Sequence, residues 1–135
     1  MRVDELVEAF EILEDWEDRY ALLIELGDAL PPMPEVLKVP ASRIDGCQSQ
    51  VWLVTTRNAD GTLHLLADSD ARIVKGLVAL LFAAFQDRPP AEVAAYDIEA
   101  TFKKLGLDRH LSLNRRNGFA AMVQRIRHQA ASYGH

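Results

Sequence analysis

Apolar residues recur at Val3, Leu6, Val7, Phe10 and Leu13, a spacing of three and four that predicts an amphipathic helix at the start of the chain. A second helical stripe uses Trp16, Tyr20, Leu23, Ile24 and Leu26. Gly27 lies near its end, and Pro31, Pro32 and Pro34 prevent its continuation. Residues 31–41 read as an irregular connector. The period then changes. Ser42 to Gly46 reads as a short strand, and Gln50 to Arg57 is a run of β-formers. Asn58 to Gly61 is a turn signal. Thr62 to Ala67 returns with Leu63, Leu65 and Ala67 on one side and His64 and Leu66 on the other. Helical spacing resumes in "DSDARIVKGLVALLFAAF", with Ser69 or Asp70 as the expected N-cap and a body apolar nearly all round. Such a helix belongs in the core, against the sheet. Pro89 and Pro90 end it. "AEVAAY" and "DIEATFKKLGL" give two short helical pieces with Gly106 as a breaker. Phe119, Met122, Val123 and Ile126 form the buried stripe of a last helix, with Ser112 as its N-cap. The pattern predicts an α+β fold: one compact domain over residues 1–135, with two N-terminal helices, a small antiparallel sheet of about three strands, then several helices.

The composition changes this picture little. Hydrophobic residues make up 49% and charged residues 26% of 135, which suits a globular domain with a full core. The net charge of -5 argues against nucleic acid as a partner. The longest apolar stretch, Ile73 to Phe85, has 13 residues and contains Lys75, too short to span a bilayer. "MRVDELVEAF" lacks the apolar core of a signal peptide, so a cytoplasmic location without membrane attachment is expected. The charge is uneven. Residues 1–30 hold ten acids and two bases, whereas residues 101–135 hold seven bases and one acid. That asymmetry suits docking to a charged partner, and equally suits solvated helix faces.

The candidate chemistry rests on Cys47, the single cysteine, in "RIDGCQSQVWLV" (43–54). One cysteine excludes an internal disulfide. A free cysteine often packs as a small hydrophobe. Here Gly46 frees the backbone beside it, and Gln48, Ser49 and Gln50 place it outside the apolar alternation of the following strand. Arg43 favours a thiolate and Asp45 opposes one, so these local features leave packing and reactivity both open. A cysteine hydrolase needs a base such as His64, His110 or His128, and no protease signature surrounds Cys47. A zinc site or an iron–sulfur scaffold needs more thiolates or paired ligands than the chain carries. A thiol that takes a group from a partner thiol and passes it on needs only one cysteine.

The same residues resemble a known family. "RIDGCQSQVWLV" resembles the active-site motif of the SufE/CsdE sulfur-acceptor family. The likeness extends to "YALLIELGDALP" (20–31), "DSDARIVKGLVALL" (68–81), "LGLDRHLS" (105–112) and "RRNGFAAMVQRI" (115–126). The resemblance implies the family's α+β fold, SufE/NifU-like in outline. It implies that Cys47 takes persulfide sulfur from a SufS/CsdA-type cysteine desulfurase, stimulates that enzyme, and relays the sulfur towards an iron–sulfur scaffold complex or another acceptor. The chain would act as a sulfur-transfer partner of the desulfurase rather than as a stand-alone enzyme. It would bind no cofactor of its own: pyridoxal phosphate belongs to the desulfurase, and the carrier holds only a transient persulfide on Cys47. Gly46 and Gln48 flank the thiol. Asp70 and Arg115 lie in matched motifs, where they position the cysteine segment or bind the desulfurase; the plainer roles are a helix cap for Asp70 and a solvated side chain for Arg115. In matched stretches or nearby, His110 reads as a structural histidine and Trp52 as sheet packing. Leu113-Asn114 stand where the family often has Pro-Ser, which bears on the start of the last helix. Two other classes remain: a regulatory module that activates a desulfurase without carrying sulfur, and a thiol redox sensor.

Overall fold

The structure, a computed structural model, describes residues 2–45 and 49–133. Helix α1 (Val3–Ile12) buries Leu6 and Phe10 of the first stripe, and α2 (Trp16–Asp28) buries Leu23 and Gly27. The turn between them is closed by Arg19, whose Nε–H donates to the carbonyls of Phe10 (3.1 Å) and Leu13 (2.8 Å). The proline-rich connector runs through two short 3₁₀ turns, Glu35–Leu37 and Pro40–Ser42.

Strands β1 (Val51–Arg57) and β2 (Leu63–Ser69) pair antiparallel, from Val51 opposite Ser69 to Arg57 opposite Leu63. Their turn is fixed by Asn58 N–H to Thr62 O (2.8 Å) and Gly61 N–H to Asn58 O (2.9 Å). Gly61 sits at φ 88°, a conformation that glycine adopts without a steric cost. The alternation holds: Leu63, Leu65 and Ala67 are buried, with His64, Leu66 and Asp68 on the outer face. The expected strand from Ser42 to Gly46 is reduced among the described residues to one bridge, Arg43 to Trp52, because Pro40–Ser42 turns as a 3₁₀ helix. The sheet therefore has two strands among the described residues.

Helix α3 (Arg72–Phe85) runs through the centre, with Leu77, Val78, Leu80, Leu81 and Phe85 fully buried between α2 and the sheet. Neither Ser69 nor Asp70 caps it. The residue before its first turn is Ala71, and both predicted caps spend their side chains elsewhere. Beyond it come α4 (Pro90–Ala95), α5 (Ile98–Lys104) and α6 (Leu107–His110), three short helices where the sequence suggested two pieces. Gly106, at φ 77°, makes the break between α5 and α6. Helix α7 (Leu113–Tyr133) closes the core with Phe119, Met122, Val123 and Ile126, and the Ser112 hydroxyl accepts from Arg115 N–H (3.3 Å), the cap expected from the sequence. No helix among the described residues is long and apolar enough to cross a membrane.

Candidate functional site

Gly46, Cys47 and Gln48 lie outside the described residues. The chain on either side of them is fixed by a specific set of bonds. On the leading side, Ile44 N–H donates to Val51 O (2.8 Å), so the chain enters the segment already paired to β1. Ile44 is itself buried and anchors that foot in the core. Helix α7 adds a second restraint. The Arg125 guanidinium donates to the carbonyls of Ala41 (3.4 Å) and Arg43 (3.2 Å).

The trailing side is held by the end of β2. Gln50 N–H donates to the Asp70 carboxylate (3.0 Å), and Asp70 N–H returns a bond to Gln50 O (3.2 Å). Ser69 Oγ–H also donates to Gln50 O (2.8 Å) while accepting from Ala71 N–H (3.2 Å). Asp70 is thus a tether on the residue three places after Cys47, not a helix cap. A carboxylate accepting a backbone N–H makes one of the stronger hydrogen bonds available.

Ser49, two residues after Cys47, borders a cavity of about 140 Å³ between α3 and α7. Val74, Leu77, Phe119 and Met122 supply its apolar wall, Gly118 leaves room in it, and Arg115 stands at its edge. Arg115 also borders a shallower recess beside Tyr20, Ile24 and His110. The fold therefore brings Ser49 and Arg115 to one cavity and places Asp70 at the foot of the same segment. A space of this size and lining suits a small polarisable group, with one cation beside it.

The outer sheet face next to this foot carries an ion network. Lys38 Nζ lies 2.7 Å from the Asp68 carboxylate and 2.8 Å from that of Glu35, and its ammonium stands 5.3 Å from the Trp52 ring centroid. Burial raises the Asp68 carboxyl, but the Lys38 ammonium, the Ser69 N–H and Lys75 together hold it below the usual aspartate range. Trp52 is accordingly a half-buried residue of the outer face, paired with Lys38, and not part of the core.

His64 and His110 each have a separate partner. His64 Nδ1 meets the Asp87 carboxylate (3.1 Å), and the His110 ring stacks on Trp16 at 3.7 Å between centroids. His110, which reads from the sequence as a structural histidine, packs by stacking on Trp16. Among the described residues no group of three His, Cys, Asp or Glu is placed to hold a metal ion. Sequence reasoning missed Arg125, which falls on the polar side of a helix whose apolar stripe drew attention. Its bonds go to backbone carbonyls some eighty residues earlier, and no local pattern signals such a pairing.

Comparison with known proteins places these features in context. The family described as "SufE: Fe-S metabolism associated domain" matches residues 4–130. An uncharacterized SufE-like protein of Rhizobium etli is 45% identical over 131 residues, covering 95% of this chain and 88% of the relative. Another of Rhizobium meliloti is 44% identical, covering 95% and 94%. The solution structure of a hypothetical protein from Thermus thermophilus superposes with a TM-score of 0.79 over 97% of this chain and 94% of that one. At 22% identity it shows the shared fold.

Proposed function

The chain belongs to the SufE family, whose domain is associated with iron–sulfur metabolism, and from that premise we propose that it is a sulfur carrier working through Cys47. A cysteine desulfurase holds a persulfide on its own cysteine. The Cys47 thiolate attacks the terminal sulfur of that persulfide. The S–S bond of the donor breaks and its cysteine leaves as thiolate, while a new S–S bond forms on Cys47. No electrons are gained or lost overall, as in thiol–disulfide exchange. The same step repeated by a downstream thiol, on an iron–sulfur scaffold complex or another acceptor, discharges the carrier. Pyridoxal phosphate stays with the desulfurase, docking stimulates that enzyme, and the cytoplasm is the compartment in which this reading sets the exchange.

The observation that supports this reading is the framing of residues 45–50. Both feet of the cysteine-bearing segment are tied to rigid elements, and Ser49 on its trailing side borders a small cavity of mixed polar and apolar lining. A carrier thiol needs access to one partner and protection from others, and fixed residues on either side of Cys47 limit where it can be presented. Arg115 near the cavity is a cation of the kind that favours thiolate.

Intact-protein mass spectrometry tests the proposal, after incubation with a pyridoxal-phosphate cysteine desulfurase and cysteine in the absence of reductant. The expected result is one added sulfur, located on Cys47 and absent from Cys47→Ser. Unmodified protein after productive turnover of the desulfurase would overturn it. If Cys47→Ser still stimulates the desulfurase fully while wild type carries no sulfur, the chain is a regulatory module instead.

A further inference from the structure

The first turn of α7 breaks local rules that the fold gives no reason to break. Leu113, its first residue, is 61% exposed. Arg115 and Arg116 follow, both exposed, and the turn contains no acid. Neither arginine belongs to an ion pair among the described residues. Cations at a helix N-terminus face the positive end of the macrodipole, and carboxylates there would be more stable. An exposed leucine, likewise, gains nothing from the fold.

What this turn does have is its position. Arg115, within the turn, borders the same cavity as Ser49, from which Cys47 is two residues away. Leu113 and Arg116 are three residues apart and so share a helix face. A protein that delivers sulfur to Cys47 must bring its own sulfur within bonding distance and therefore covers this turn. Resting on the sulfur-carrier reading, we propose that Leu113 and Arg116 form a docking rim for the sulfur donor, and that the donor presents an apolar recess edged by carboxylates. An apolar anchor beside an arginine is the residue pair that interface centres favour.

The rim also decides which of the two charged regions meets the donor. The first half of α1 packs toward the C-terminus of α3, away from this turn, while its last turn approaches the turn's neighbours through Phe10, Trp16 and His110. Leu6 shares a groove with Phe82 and Ala83 near the C-terminus of α3, whereas the cavity beside Ser49 uses Val74 and Leu77 near its N-terminus. At about 1.5 Å per residue the two sites are roughly 8–13 Å apart along α3. The charge that complements the exposed Arg116, in a turn without acids, is negative.

The test is equilibrium binding to a SufS-type cysteine desulfurase loaded with pyridoxal phosphate, at low and high salt. Leu113→Ser and Arg116→Glu should each raise Kd about tenfold at low salt, a size within the range of interface anchors. The Arg116→Glu loss should shrink at high salt and the Leu113→Ser loss should persist. Glu8→Lys, on exposed α1, should bind like wild type. The melting temperature of Arg116→Glu should stay level or rise, because a carboxylate suits that turn. A purely structural role would move stability and binding down together. Both rim variants binding like wild type, or Glu8→Lys binding much more weakly, would overturn the rim while leaving sulfur transfer to wild-type Cys47 intact. Wild-type protein that takes no sulfur would remove the carrier reading and the rim with it.

Discussion

The α2–α3 crossing and the residues on either side of the cysteine are held by different means. At the crossing two backbones touch. A Cβ on Gly27 would come 2.6 Å from Gly76 N, and one on Gly76 would come 2.5 Å from Leu23 O. Nothing there is flexible enough to move aside, and Arg72 of α3 closes the end of the crossing on Asp28 of α2. The cysteine-bearing segment is attached by polar bonds at its two feet: Ile44 to Val51, Gln50 to Asp70 and Ser69, and Arg125 to Ala41 and Arg43. Such bonds contribute about 0.5–1.5 kcal/mol each, somewhat more where one partner is charged. They can open locally while the core stays closed. The fold thus concentrates close packing at the crossing and ties the residues on either side of the cysteine through bonds that can be broken one at a time.

The largest effect should come from adding one carbon to the frame. Gly76→Ala gains about 1 kcal/mol of helix propensity but forces α2 away from α3. We expect a net loss of about 3 kcal/mol or more, a fall in melting temperature on the order of 10 °C. Thermal denaturation measures it, and a melting temperature close to wild type would mean that the crossing is looser than its contacts suggest.

Next in size is the trailing foot. Asp70→Ala leaves Gln50 N–H without its carboxylate, a change of about 1.5–3 kcal/mol confined to that foot. The rate of Cys47 alkylation by iodoacetamide should rise several-fold with only a small drop in melting temperature. Asp70→Asn, which keeps a side-chain oxygen acceptor, should recover part of the wild-type rate. An unchanged alkylation rate in Asp70→Ala would show that Ser69 and the backbone N–H of residue 70 suffice to hold this side.

The leading foot should respond less. Arg125 reaches its two carbonyls at 3.2 and 3.4 Å from an exposed position, so Arg125→Ala should cost about 1 kcal/mol or less. Cys47 alkylation should rise, by less than in Asp70→Ala. Because the two tethers share no partner, the double variant should show the product of the single rate changes. A product far exceeded would mean that the segment opens as one unit.

These two regions also differ in how far the sequence revealed them. Helix and strand periodicity located every long element, and burial confirmed the alternation of β2 and the stripe of α7. The reason is that each pattern follows from one face meeting the core. The crossing was less legible. Gly27 reads as a helix end, and its role depends on Gly76, some fifty residues later, a pairing that no local pattern encodes. At the site, the cysteine and its glycine stand out by composition. Asp70 reads as a cap because a polar residue before an apolar helix usually is one, and through the resemblance as a holder of the cysteine segment; its carboxylate turns back to Gln50, in line with the second reading. Among the described residues the strand expected at Ser42–Gly46 shrinks to the Arg43–Trp52 bridge because Pro40 begins a 3₁₀ turn that consumes its first residue.

The smallest effect compares the same two regions through their carboxylates. Asp28 closes the crossing and sits below the usual aspartate range, first because the Arg72 guanidinium donates to it. Asp68 lies on β2 just before the residues that hold Gln50. Burial raises it, but Lys38, the Ser69 N–H and Lys75 hold it low. A carboxyl whose folded pKa is depressed contributes stability above its unfolded value, about 3.9, and loses that contribution as pH falls through the folded value. Lys38 and Arg72, both raised, would lose theirs only in strong alkali. The melting temperature should therefore be level from about pH 7 to 5 and decline below about pH 4. Asp68 lies between two ammonium groups on a half-covered face, at 2.7 Å from Lys38 and 3.7 Å from Lys75. Asp28 meets one exposed guanidinium, a pair that solvent screens. Asp68→Asn should flatten the acid decline more than Asp28→Asn. The reverse order would mean that the crossing relies on its ion pair as well as on its glycines, and that the frame is not held by close packing alone.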